Sequence, residues 1–175
     1  MVVITISGKA RAGKDSLANM MRNYFESKGK KVSIVHYADE LKWIARTLYH
    51  WDGEKDEYGR SLLQKIGDIG RAYDENYWVF NLVNRVTAFL NTTDYVIIPD
   101  CRYPNEINVW KGRESIVSIL VQRPDFLNDL TEEQRHHSSE TALDNYSFDY
   151  TAECTNLAEL EQVAKKICKS LENEV

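Results

Sequence analysis

Residues 2–17 read VVITISGKARAGKDSL: an apolar and β-branched run from Val2 to Ile6 breaks at Ser7-Gly8, and a helical pattern opens at Lys14. Within it, Gly8-Lys9-Ala10-Arg11-Ala12-Gly13-Lys14 fits G-x-x-x-x-G-K where that spacing has a mechanism, directly after a strand and at the start of a helix. The glycines let the backbone turn tightly enough for successive N–H groups, Ala10, Arg11 and Ala12 among them, to aim at one anion. The helix start adds partial positive charge, and Lys14 can reach the outer phosphates of a nucleotide. A glycine-rich turn with a solvated lysine shares the letters but has no need of this position. One departure follows: Asp15 stands where a Ser or Thr hydroxyl usually meets magnesium, and the hydroxyl comes one place later as Ser16. Asp15 either helps Ser16 hold the metal or interacts with the helix N-terminus.

The same alternation continues outward from this stretch. Short, nearly unbroken apolar runs at Val32 to Tyr37, Tyr95 to Ile98 and Ile116 to Val121 suit strands buried on both faces of a parallel sheet, and Ser147 to Ala152 is a weaker fifth. Helical patterns lie between them. Leu17, Met20, Met21 and Tyr24 mark a helix from Lys14 to the Lys28-Gly29 stop, and further patterns run over Ala38 to Tyr49, Leu62 to Tyr73 and Asn76 to Leu90. Asn156 with Glu159 reads as a capping pair opening a last helix, with Leu157, Leu160, Val163, Ala164, Ile167 and Leu171 as its stripe. The expected fold is a doubly wound α/β domain, a five-stranded parallel sheet with helices on both faces, whose ligands sit at the carboxyl ends of the strands.

Composition bounds the function. A chain of 175 residues with 43% hydrophobic and 28% charged residues and three prolines reads as a single domain over 1–175. A net charge of −5 argues against coating nucleic acid by bulk electrostatics, and no apolar run approaches the roughly 20 residues of a membrane span. Cys101, Cys154 and Cys168 are widely spaced and odd in number, so free thiols are expected in a soluble, cytoplasmic protein.

Further chemistry gathers at the strand ends. Asp100 follows the Tyr95 to Ile98 run, where an acid can close a magnesium site, and Arg102 can bring a guanidinium to a transferring phosphoryl group; a local ion pair in a turn would look the same. Asp39 and Lys42 share a face at the start of the second helix, as an acceptor site or a surface pair. Arg71 could clamp an acceptor's phosphate, Gln64 could meet a base edge, and Trp78 is the aromatic best placed to contact that base. The polar stretch 122–140 suits a lid, with Arg123 at its start and Arg135 inside it able to neutralise charge on a γ-phosphoryl group. His136-His137 has no third ligand at metal spacing, so zinc is not expected, and Ser139-Glu140 caps a helix or orders the lid. No N-K-x-D signature is present and no D-x-x-G follows a strand, which argues against a GTPase.

At Gly-Lys-Asp-Ser the chain resembles the deoxynucleoside monophosphate kinase family of phages and bacteria. Tyr37-Ala38-Asp39-Glu40-Leu41-Lys42 looks like that family's aromatic-Ala-Asp-x-Leu-Lys stretch. Leu63-Gln64-Lys65-Ile66-Gly67 with Gly70-Arg71 and Trp78 is similar to its L-Q-x-x-G, G-R and W blocks; Asp100-Cys101-Arg102-Tyr103-Pro104-Asn105-Glu106 resembles its D-x-R-x-P-N-E motif, and Ser139-Glu140 its S-E pair. The blocks run in order from Ile4 to about Leu160. The resemblance implies a P-loop kinase that uses ATP and Mg2+ to convert a (deoxy)nucleoside monophosphate to the diphosphate. It places acceptor-binding helices at about 39–90 and adenine near Thr151 to Asn156. Expected partners are small nucleotides, without nucleic acid or membrane; a homodimer is compatible, as is a cytosolic setting in a bacterium or phage-infected cell. Two alternatives stay open: a P-loop kinase of another small phosphorylated metabolite, since animal phosphomevalonate kinases share the Gly-Lys-Asp variant, and a non-kinase ATPase or nucleotide switch.

Overall fold

A strand can bury both of its faces only where helices cover the sheet on each side, and the first strand does so along its whole length. In the computed structural model, which describes residues 1–88, 91–124, 126 and 129–174, β1 (Val2–Ser7) is buried at every position and pairs in parallel with β3 (Tyr95–Cys101) and β4 (Ser115–Gln122). Beyond them lie β2 (Val32–Ile34), against β3, and β5 (Tyr150–Glu153), against β4. All pairs are parallel and the order is β2-β3-β1-β4-β5, the expected five-stranded sheet. Leu90 of the expected fourth helix, and Asp125, Leu127 and Asn128 of the expected lid, lie outside the described residues.

Side-chain alternation divides the core by face. Ile4, Ile6, Ile97, Ile119 and Val121 pack with α1 (Lys14–Ser27) and α8 (Leu157–Glu174), where Phe25 stacks on Tyr95 at 4.0 Å between ring centres. Val3, Val96, Ile98 and Cys101 pack on the other face with α2 (Ala38–Tyr49), α3 (Glu57–Tyr73), α4 (Tyr77–Thr87) and α5 (Pro104–Asn108). Full burial of each large aliphatic or aromatic side chain contributes about 1.5–3 kcal/mol. Two short helices, α6 (Glu132–His136) and α7 (Ser138–Thr141), follow β4. The three cysteines, expected as free thiols, are unbridged, and each is buried.

Several boundaries differ from expectation for local reasons. β2 stops at Ile34, not Tyr37, because the chain leaves the sheet where Asp100 accepts the amides of Tyr37 (3.0 Å) and Ala38 (2.9 Å) and starts α2. α3 begins five residues before Leu62, since Asp56 caps it by accepting the Gly59 amide at 2.7 Å. α5 was not anticipated: Pro104 opens it, and Glu106 accepts the amides of Arg102 (2.6 Å) and Tyr103 (3.2 Å). The last helix is capped as read, with Asn156 Oδ1 accepting the Glu159 amide at 3.0 Å and Glu159 accepting the Thr155 amide at 2.8 Å.

Candidate phosphate-loop site

The loop between β1 and α1 stands where the backbone leaves the centre of the sheet. Gly8 has φ +147° and Gly13 φ +104°, both in glycine's territory, and a Cβ on Gly8 would lie 2.4 Å from the carbonyl oxygen of Val121. Any larger residue at position 8 would push the loop off β4. Arg11 also has a positive φ, 60°. Lys14 is 8% exposed and folds back along the loop, donating to the carbonyls of Gly8 and Lys9, both at 2.8 Å. Arg102, from the end of β3, donates to the same Gly8 oxygen at 3.2 Å, so two cations converge on one carbonyl. Burial, and then the Arg102 charge, lower the Lys14 pKa from 10.5 to about 7. An anion placed there would restore the ammonium.

Asp15, in the first turn of α1, turns to His36 at the end of β2 (Nε2 to Oδ1 3.2 Å). That hydrogen bond lowers the Asp15 pKa and raises that of His36. Ser16 is half-buried beside it. Both Asp100 oxygens are engaged by the start of α2, so this acid ties the end of β3 to the neighbouring helix. Among the described residues, no group of three or more His, Cys, Asp or Glu could hold a metal ion. Asp15, Ser16 and Asp100 are hard oxygen donors, a set that fits a magnesium ion bound largely through phosphate oxygens and water.

The expected acceptor residues are spread over three helices. Asp39 pairs with Arg85 of α4 (3.0 Å) rather than with Lys42, and His36 Nδ1 lies 3.8 Å from it. Lys42 is half-buried, and its charge, with burial as the larger cause, lowers the pKa of Lys55. Gln64, Asp68 and Arg71 lie along one face of α3. Arg71 pairs with Asp68 (3.0 Å) and stacks on Tyr103 (4.3 Å to the ring centre), and a Cβ on Gly67 would come within 2.6 Å of its guanidinium. Trp78 is 5% exposed, and its indole packs against Gly70 and donates to the Gly67 carbonyl at 2.9 Å. It supports α3 through these two contacts.

The stretch after β4 is more firmly docked than a polar lid suggests. Gln134 is 3% exposed and donates to the Glu57 carbonyl (2.9 Å) and Ser61 (3.1 Å) of α3. His137 pairs with Asp68 (2.8 Å), and Tyr103 meets Ser138 (2.8 Å). Glu140 pairs with Arg102 (2.7 Å) and accepts the Ala10 amide (3.1 Å). Arg123 is exposed and stacks on Phe126 at 4.2 Å, while Arg135 is exposed on α6. Sequence reasoning missed His36, Lys55, Arg85 and Gln134; a Thr131-x-x-Gln134 capping box was the legible sign of the last. A cavity of about 420 Å3 opens beside the loop, between Gly8 to Ala10, Ala12, Arg102, Leu120 to Pro124, Phe126 and Leu143. Its apolar wall comes from the end of β4 and from α7 onward, not from Thr151 to Asn156.

Solved structures with a similar arrangement include kinases. Shikimate kinase from Aquifex aeolicus superposes with a TM-score of 0.54 over 99% of this chain and 98% of its own, at 16% identity. The Mycobacterium tuberculosis APS kinase CysC in complex with AMPPNP and APS gives 0.51 over 97% and 96%, at 9% identity. The fold is that of the P-loop kinases. Shikimate kinase from Bacteroides thetaiotaomicron shares this P-loop kinase fold, with 0.51 over 98% of each chain at 15% identity. No family model matches the sequence. Among curated proteins, the uncharacterized protein ORF77 of Ictalurid herpesvirus 1 (strain Auburn) is 38% identical over 148 residues, covering 82% of this chain. The chain spans 59% of that relative's length. Among the described residues, no helix is long and apolar enough to cross a membrane.

Proposed function

We propose that this chain is a kinase that moves the γ-phosphoryl group of ATP to a (deoxy)nucleoside monophosphate. The observation that carries the reading is the convergence of Lys14 and Arg102 on the Gly8 carbonyl, in a P-loop kinase fold where α2 starts on Asp100 at the end of β3 and Arg71 of α3 stacks on Tyr103 just past it. Lys14, the loop amides and Arg102 bind and orient the triphosphate, and Arg123 and Arg135 lie on the segment that would cover it. Magnesium, when bound at Asp15, Ser16 and Asp100, supplies charge neutralisation between phosphate oxygens. Asp39, Lys42, Gln64 and Arg71 hold the acceptor, whose phosphate oxygen is already ionised at neutral pH, so no strong general base is required. Covering the site keeps water from intercepting the phosphoryl group.

The sequence blocks from Tyr37 to Glu140 favour the nucleotide acceptor. A second reading, a different small-metabolite acceptor, is favoured by solved neighbours named for shikimate and APS. ADP formation from Mg-ATP with each common dNMP and NMP added singly separates them. Turnover that depends on a nucleotide acceptor supports the first reading. Turnover with none of these but with another small metabolite, phosphorylated or not, supports the second, and ATP consumption indifferent to any acceptor refutes both in favour of an ATPase. A cytosolic site of action belongs to the same proposal.

A further inference from the structure

Three consecutive residues of the phosphate loop are each held by an acid from one short stretch of chain. Lys9 bonds the Asp144 carboxylate and the Glu140 carbonyl, the Ala10 amide donates to Glu140 Oε2 at 3.1 Å, and Arg11 pairs with Asp129 at 2.8 Å. Glu140 Oε1 takes Arg102 at 2.7 Å, and the Glu140 side chain is 8% exposed. Its carboxylate therefore bridges a loop N–H and the guanidinium nearest Lys14, two donors of the kind an anion loop offers to phosphate oxygens. The stretch is anchored ahead of this contact: Asp129 also meets Arg60 (3.2 Å), and Gln134 and His137 hold α3.

We propose that residues 129–144 form an internal acidic strap that occupies the phosphate loop of the nucleotide-free chain and competes with the phosphates of an incoming nucleotide, not with its base. The inference rests on the reading of Gly8 to Lys14 as a polyphosphate site. The physical reason is direct. Lys9, Arg11, Lys14 and Arg102 crowd positive charge around one loop, and the carboxylates relieve it. A phosphate oxygen and Glu140 Oε2 cannot both take the single Ala10 N–H in good geometry, and the two anions repel. Nucleotide must displace the strap, so its apparent affinity is reduced by the fraction of chains in which the loop is clear.

The test measures, on the full chain by calorimetry, the binding of ATP, inorganic tripolyphosphate and adenosine to the wild type, Glu140→Gln and Asp144→Asn. Glu140→Gln keeps the shape and removes the charge; Asp144→Asn lies at the solvent-exposed end and guards against a folding defect in the first. If the strap holds about nine in ten empty chains, Glu140→Gln tightens ATP and tripolyphosphate up to about tenfold. Asp144→Asn tightens them less, the double variant gains no more than the clear-loop limit, and adenosine affinity stays constant. Unchanged or weaker phosphate binding in both variants, or equal tightening of adenosine, overturns the strap while leaving the nucleotide site intact. Failure of ATP and tripolyphosphate to bind any of the proteins overturns the nucleotide site and the strap with it.

Discussion

Replacing Lys14 by Met should strengthen the fold while removing catalysis. The ammonium is 8% exposed, and its pKa falls from 10.5 to about 7, burial being the main cause. At ~1.36 kcal/mol per pH unit, that interval corresponds to a penalty of about 5 kcal/mol for carrying the charge at this buried position. The direction follows from proton binding: between pH 7 and 10.5 the unfolded chain holds more protons at this residue than the folded chain, so the wild type gains stability as pH rises. The penalty is complete below pH 7 and vanishes above 10.5. Bonds to the Gly8 and Lys9 carbonyls return part of it, about 1.5 kcal/mol each, leaving Met ahead by about 2 kcal/mol at pH 6.5. Urea denaturation followed by the fluorescence of the buried Trp51, Trp78 and Trp110 measures the difference. It should fall by about 3 kcal/mol between pH 6.5 and 9.5 and so change sign, leaving the wild type ahead by about 1 kcal/mol at the higher pH. A difference that is constant with pH, or a Met variant less stable at pH 6.5, would refute the argument; kcat should drop by roughly 10² or more, as for loss of one charge-stabilising donor.

Further outcomes are expected. Gly8→Ala should abolish ATP binding, because the added carbon collides with Val121 at a φ that alanine rarely adopts; calorimetry with unaltered affinity would contradict the close approach. Arg71→Ala should raise the acceptor KM with little effect on that of ATP, and the reverse pattern in steady-state kinetics would put the acceptor elsewhere. Burial lifts the Glu106 pKa from 4.5 to about 7, so the folded chain holds the extra proton and stability should fall as pH rises through that window; Glu106→Gln should flatten this limb of the urea midpoint curve. Gln134→Leu should cost about 2 kcal/mol by stranding the Glu57 carbonyl and Ser61, read from the thermal midpoint.

What could be read from the sequence was local. The β1 run, the loop and the first turn of α1 adjoin one another, so their order alone placed Lys14 at the end of the central strand. The apolarity of the Tyr95 and Ile116 runs announced strands covered on both faces. The contacts that shape the site join residues far apart and leave no periodic trace: Glu140 meets Ala10 across 130 positions, and Asp100 meets Tyr37 across 63. The seat of the Trp78 indole against Gly67 and Gly70 was equally hidden, because proximity to Arg71 in sequence does not say which side of a helix an indole supports. Gln134 was hidden in a polar segment whose composition matches a solvated loop; only its partners on α3 explain its burial.

The near-contact of Gly8 with Val121 sets where the mouth of the loop can be. With no room for a single added carbon, the first bend of the chain after β1 is dictated by the adjoining strand, and the intervening Lys9 to Ala12 inherit their path from it. Swapping those four side chains should therefore retune which anions are welcomed without redrawing the receptacle, whereas a one-residue slip of β4 would erase it. That makes this corner a suitable scaffold for grafting altered phosphate selectivity.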